Sequence, residues 1–127
     1  MTRTILIVED DAQLRKVLDL VLREEGFNVK LCPDGQAAID KLQTDKKIGN
    51  LPAIIILDLS MPVVDGWQVA AWLNADPALG DIPVIVTSAT REQGEAAQAL
   101  HADAYLVKPF TTDEVLGVVG LFSLLQP

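Results

Sequence analysis

The chain has 127 residues, half of them apolar, with 18 acidic against 10 basic side chains and a formal net charge of −8. That length holds one domain, residues 1–127, with a sizeable core, and the apolar content excludes a disordered chain. The negative charge argues against nucleic acid or an anionic membrane as a direct partner. Thr2-Arg3 leads straight into an apolar run, and no run approaches the roughly 18 residues a membrane span needs. The expectation is therefore a cytoplasmic chain with neither signal peptide nor membrane anchor. Cys32 is the single cysteine, which leaves no internal disulfide and reads as a small hydrophobe at a strand end.

Strands and helices alternate along the chain. Ile5-Leu6-Ile7-Val8 is a buried-strand run ending in Glu9-Asp10-Asp11. Leu14, Val17, Leu18, Val21 and Leu22 recur at helical spacing, and Gly26 sits where a left-handed C-cap belongs. Phe27–Leu31 reads as a short strand, and Asp34-Gly35 turns into a helix from about Gln36 to Gln43. Thr44–Pro52 reads as a polar loop. Ile54-Ile55-Ile56-Leu57 is the most apolar strand and delivers Asp58 at its end. Asp65-Gly66 opens a helix containing Trp67, Val69, Ala70, Trp72 and Leu73, both tryptophans reading as packing residues. Val84-Ile85-Val86 leads into Thr87-Ser88, with the strand expected to end at Thr87. A small-residue helix follows from about Glu92 to Leu100, with Ala96, Ala97 and Leu100 as its weak apolar face. Tyr105-Leu106-Val107 ends in Lys108-Pro109, and Thr111-Thr112-Asp113-Glu114 reads as a capping box for a last helix.

This pattern is (βα)5, expected as a flavodoxin-like doubly wound parallel sheet. Right-handed crossovers leave few arrangements, and the common strand order is 2-1-3-4-5. In that order strands one and three are neighbours, so Glu9, Asp10 and Asp58 meet at the switch point beyond the carboxyl ends of the strands. Four strands each end in a polar or charged group, which folding needs alone explain poorly.

Carboxylates about 4 Å apart repel by roughly 4 kcal/mol per pair at an effective dielectric near 20. A fold that gathers three must supply positive charge. Lys108 is one source. A hard divalent cation is the natural second, because every available ligand is oxygen; Mg²⁺ keeps several waters and leaves room for phosphate oxygens. No His or Cys cluster suits zinc. A carboxylate beside two cations is set up to attack phosphorus, and the Thr87 hydroxyl can bond a phosphate oxygen.

These residues together resemble a two-component response regulator receiver domain over essentially the whole chain. Glu9-Asp10 resembles that family's acidic pair, and Asp58 matches the phosphoacceptor of Asp-Leu-x-Met-Pro-x-x-Asp-Gly. Thr87, followed by Ser88, matches the switch hydroxyl, Tyr105 the switch aromatic, and Lys108-Pro109 the lysine with its proline. The resemblance implies Mg²⁺ held by Asp10, Asp58 and the Ser60 carbonyl, with Glu9 acting through water. It also implies a cis Lys108-Pro109 bond. The expected partner upstream is a histidine kinase or phosphotransfer protein. The expected signalling face is helix four, strand five and helix five, which could also pair two copies of the chain. The chain would promote only its own phosphorylation and dephosphorylation.

Three positions depart from the family pattern. His101 stands where the family often has glycine, so a positive φ is expected there. The last helix is apolar nearly all round, at Val115, Leu116, Val118, Val119, Leu121, Phe122, Leu124 and Leu125, where relatives carry basic residues. It reads as a partner surface, as the mark of a truncation, or as a packed helix with a few exposed leucines. Thr44–Pro52 is longer than the family's usual loop. Rival readings are an aspartate-nucleophile phosphatase of the haloacid dehalogenase type, a degenerate receiver acting only as a binding module, and a flavodoxin. The first lacks the second acid of Asp-x-Asp, since the run here is Asp58-Leu59-Ser60, and the last lacks a phosphate-cradling loop after strand one.

Overall fold

A computed structural model describes residues 3–124. Five strands alternate with five helices: β1 Thr4–Val8, α1 Ala12–Glu24, β2 Asn28–Cys32, α2 Gly35–Lys47, β3 Ile54–Asp58, α3 Gly66–Asn74, β4 Val84–Ser88, α4 Arg91–Ala99, β5 Ala104–Val107 and α5 Thr112–Leu124. All pairings are parallel and the strand order is β2-β1-β3-β4-β5, as the alternation implies.

Apart from the edge strand β2, whose buried residues are only Val29 and Cys32, the strands are buried on successive residues because helices cover both faces of the sheet. Leu6, Val8, Ile55, Leu57, Val84 and Val86 face one core with Leu42, Val69, Leu73 and Ala97, which Trp67 and Trp72 flank. Ile5, Ile7, Ile54, Ile56, Ile85 and Leu106 face the other with Leu18, Leu22, Val115 and Val119. Cys32 is buried at the end of β2.

Capping sets the helix starts. Asp11, Asp34, Asp65 and Thr90 each accept backbone N–H bonds as N-caps, and Asp65 with Gln68 forms a reciprocal box. Thr111 and Glu114 form the expected box at α5. Gly26 has the positive φ of a left-handed cap at 94°.

Four boundaries and one helix face differ from the sequence reading. Helix α2 continues through Lys47, so the Thr44–Pro52 segment is helical in its first turn. The cause is tertiary: Asp45 is buried and pairs with Lys30 at 3.2 Å and Lys41 at 3.5 Å, contacts a polar sequence run does not advertise. Strand β2 lies one residue later than Phe27–Leu31, in register from Asn28 opposite Thr4. Strand β4 runs on to Ser88, while β5 stops at Val107, one residue short of Lys108. On α4 the inward residues are Gly94 and Ala97, three apart, whereas Ala96 and Leu100 are exposed.

Among the described residues two non-glycine positions have positive φ, His101 at 80° and Val63 at 66°. His101 is as expected. Val63 is not: a β-branched side chain in the left-handed region is a genuine outlier, and Val63 is 97% exposed, so no packing offsets the strain. Val63→Asn is therefore expected to raise the unfolding free energy by about 1 kcal/mol in urea titrations. An unchanged or lower value would show that the loop holds Val63 without strain.

Candidate functional site

The site lies at the carboxyl edge of β1, β3, β4 and β5. Strand β3 carries Asp58 into it with only 2% of its surface exposed. Glu9 follows β1 and is equally buried, whereas Asp10 is exposed. The three carboxylates each offer an oxygen, all within 4.8 Å of one another. Lys108, following β5, brings its Nζ to 2.9 Å from Glu9 Oε1 and 3.2 Å from Asp58 Oδ2. Its own backbone N–H donates to the Ser88 carbonyl at 2.8 Å, which ties the β5 end to β4, and the Lys108-Pro109 peptide is cis.

Backbone donors hold the carboxylates in place. The Ser60 N–H donates to Asp58 Oδ1 at 3.1 Å, and the Asp11 N–H to Glu9 Oε2 at 3.2 Å. Gly66 lets the loop after β3 fold back on the strand. A Cβ there would stand 2.6 Å from Leu59 Cα and 2.8 Å from the Asp58 carbonyl carbon, both rigid backbone.

Thr87 is the residue directly paired with Asp58 across β3 and β4. Its Oγ1 is buried and has no hydrogen-bond partner among the described residues. A buried hydroxyl without a partner is uncommon and calls for one. Ser88 differs: its Oγ donates to the Thr90 carbonyl at 2.7 Å and so closes the turn into α4. Tyr105 pairs with Val86, one position before Thr87, and is half-buried against α4.

Two further contacts carried no sequence signal. Arg15 Nη1 donates to the Glu9 carbonyl at 2.8 Å, reaching across the first turn of α1. Asp11 caps that helix while holding Glu9, so one residue serves both the fold and the site. An arginine four residues beyond an N-cap has many possible partners, and only the fold selects this one.

The electrostatics follow from crowding. Burial pushes the Glu9 carboxyl up to about 7, with the Asp58 carboxylate adding to the rise and Lys108 opposing it. Burial would lift Asp10 as well, but bonds within the acidic cluster and the Lys108 charge hold it below its ordinary value. For Lys108 burial works against the charge, and Glu9 and Asp58 outweigh it, so the ammonium is raised. Three oxygen acids and one ammonium form a donor set for a hard cation. Between pH 4.5 and 7 folded Glu9 retains a proton that the unfolded chain has released. Its contribution to stability therefore falls as pH rises through that window, by roughly 3 kcal/mol at most. In chelator, the unfolding free energy of the native chain should decline across that window relative to Glu9→Gln. A pH-independent difference between the two would contradict the crowding.

The model of the response regulator receiver domain matches residues 5–119. Among curated proteins the chain is 37% identical over 117 residues to the transcriptional regulatory protein KdpE of Staphylococcus aureus, covering 91% of this chain and 47% of that one. It is 33% identical over 118 residues to the alkaline phosphatase synthesis transcriptional regulatory protein SphR of Synechococcus elongatus, covering 88% and 45%. The chain thus spans about half the length of the curated relatives it matches. A putative response regulator from Chloroflexus aurantiacus superposes with a TM-score of 0.87 at 27% identity, covering 96% of this chain and 98% of that one. The chemotaxis protein CheY4 of Vibrio cholerae shares the fold, with a TM-score of 0.84 at 23% identity over 96% and 99% of the two chains. The sheet order, the acidic cluster at its edge and these matches lead to one conclusion: the chain belongs to the response regulator receiver domain family.

Proposed function

We propose that Asp58 accepts a phosphoryl group from the phosphohistidine of a histidine kinase or phosphotransfer protein, and that the modification switches a protein-contact surface. The observation that carries this reading is the pairing of a buried Asp58, 3.2 Å from the Lys108 ammonium, with a buried Thr87 hydroxyl that has no hydrogen-bond partner among the described residues. A carboxylate oxygen of Asp58 attacks phosphorus, the bond from phosphorus to the imidazole nitrogen breaks, and the imidazole leaves with the bonding pair. Lys108 neutralises charge on the transferring group, and Thr87 donates to one of its oxygens. Water attacking the acyl phosphate reverses the state, so the chain modifies and restores only itself and is not an enzyme for a separate substrate.

Glu9, Asp10 and Asp58, with the Ser60 carbonyl, would hold Mg²⁺. The oxygen-only donors and the net negative charge of three acids against one ammonium fit that ion better than a softer metal. When bound, it supplies positive charge for the acids and for phosphoryl oxygens. A phosphatase of the haloacid dehalogenase type is disfavoured by Ser60, where that chemistry wants a second acid.

Thr87 and Tyr105 would pass the change to α4, β5 and α5. On α5, Val115 and Val119 are buried, while Leu121 and Leu124 are 56% and 86% exposed; Leu125 lies outside the described residues. This face offers a contact for an output protein or a second copy of the chain. Direct nucleic-acid contact is disfavoured by the charge of −8.

Incubation with acetyl phosphate and Mg²⁺ should add one phosphoryl group, read by mass spectrometry, and Asp58→Asn should abolish it. Label persisting in that variant would reject the assignment. Mg²⁺ at roughly ten times its dissociation constant should stabilise the fold by about 1.4 kcal/mol, and Asp10→Ala should lose the gain. Equal melting curves with the ion and with chelator would exclude the metal site. Sedimentation should show association that strengthens with a phosphoryl mimic and weakens in Leu121→Asp; a monomer throughout would leave α5 as a packing helix.

A further inference from the structure

Gly35 is the first residue of α2, and it is buried. Its φ lies outside the left-handed region, so the backbone does not call for a glycine. Space does. A Cβ added there would overlap the Val64 carbonyl oxygen and stand 2.8 Å from Val64 Cγ1 and 3.0 Å from Val64 Cβ. Val64 belongs to the loop between β3 and α3, so the backbone of that loop rests directly on the first turn of α2. A carbonyl oxygen is well placed there, because the N-terminal end of a helix carries partial positive charge.

Three backbone donors hold the ends of this loop. The Leu59 N–H donates to the Thr87 carbonyl at 3.0 Å, the Ser60 N–H to Asp58 Oδ1 at 3.1 Å, and the Gly66 N–H to the Leu59 carbonyl at 3.1 Å. Between them Met61 is buried in the core and Val64 rests on Gly35. The support under Val64 is itself tied to the acids. The Glu9 N–H donates to the Cys32 carbonyl at 3.1 Å, three residues before Gly35, and Asp34 caps α2 by accepting from the Ala37 N–H at 2.7 Å. The first turn of α2 therefore stands in a set position relative to Glu9 and bears the loop that carries Ser60.

We propose that Gly35 is a positioning residue for the cation site: having no side chain, it seats the Val64 carbonyl on α2 and so sets where the Ser60 carbonyl stands relative to Glu9, Asp10 and Asp58. This inference rests on the reading that those groups hold Mg²⁺. Gly35 acts through the loop. Any side chain at residue 35 pushes the loop outward, because the atom it meets first is backbone and α2 is anchored beneath it. The site then loses the fit of one ligand while the three acids stay where their strands put them. Disturbing a group that orients a metal ligand typically weakens binding about 10–100-fold.

The test is a Mg²⁺ titration of the full chain, followed by tryptophan fluorescence. Gly35→Ala should raise the dissociation constant at least about tenfold. Saturating Mg²⁺ should restore its rate of labelling by acetyl phosphate, since occupancy by the ion is impaired and the phosphoryl transfer is not. Gly117→Ala should leave the affinity unchanged, because a Cβ there meets nothing within 4 Å. In the native chain a nuclear Overhauser contact between Gly35 Hα and the Val64 methyl groups should persist when Mg²⁺ binds, because the seat is fixed. Native affinity in Gly35→Ala would overturn the proposal, as would weakening of the same size in Gly117→Ala. A labelling rate that stays low at saturating Mg²⁺ would overturn it too, by placing Gly35 in the fold alone. So would loss of the Gly35–Val64 contact on Mg²⁺ binding, a result that does not depend on any variant folding. A native chain that binds no Mg²⁺ would instead reject the cation reading, and the role of Gly35 with it.

Discussion

Crowded negative charge at the edge of the sheet organises this molecule. Three carboxylates lie within 4.8 Å, and two of them are almost wholly buried. Each pair at such a distance repels by a few kcal/mol at an effective dielectric near 20. One ammonium, 2.9 Å from Glu9 and 3.2 Å from Asp58, offsets part of that. The rest is borne by the raised proton affinity of Glu9, by backbone donors at Ser60 and Asp11, and, under the proposed function, by a cation and a phosphoryl group in turn. A site in this condition responds strongly to any change of charge, which is what a switch requires.

The fold exists in the form it does because it must deliver these groups rigidly. Parallel pairing in the order β2-β1-β3-β4-β5 puts the ends of β1, β3, β4 and β5 side by side. Each strand is anchored by apolar residues on both faces, so the polar group at its end has little freedom. The same parallel register that sets Thr87 opposite Asp58 sets Tyr105 opposite Val86, next to α4. A displacement at the acid cluster thus has a short physical route to the surface. Gly94 and Ala97 give α4 a small inward face, so its backbone lies close against β4 and β5.

Much of this was legible in the residues. Unbroken apolar runs marked the buried strands, and the polar residue after each run marked the site; the capping residues of α5 and the glycine after α1 were equally readable. What escaped notice depended on contacts between distant parts of the chain. The last turn of α2 looks like loop because Thr44, Asp45, Lys46 and Lys47 are polar, yet Asp45 is buried against Lys30 of β2. Arg15 gives no sign that it will hold the Glu9 carbonyl. Val63 gives the opposite sign, since a β-branched residue is the poorest choice for a left-handed turn. Gly94 reads as a weak point in a helix, and only the position of Tyr105 shows that the missing side chain makes room for a ring.

Under the proposed function, Asp58 becomes a mixed carboxylic–phosphoric anhydride. Such a group is cleaved by hydroxylamine, which leaves a hydroxamate on the acyl carbon, whereas a phosphate ester on serine or threonine resists the reagent. The chain treated with a phosphodonor and Mg²⁺, then with hydroxylamine, should carry the hydroxamate at residue 58 and no phosphate. Phosphate that survives the treatment, or a hydroxamate at Glu9 or Asp10 in place of Asp58, would contradict the account.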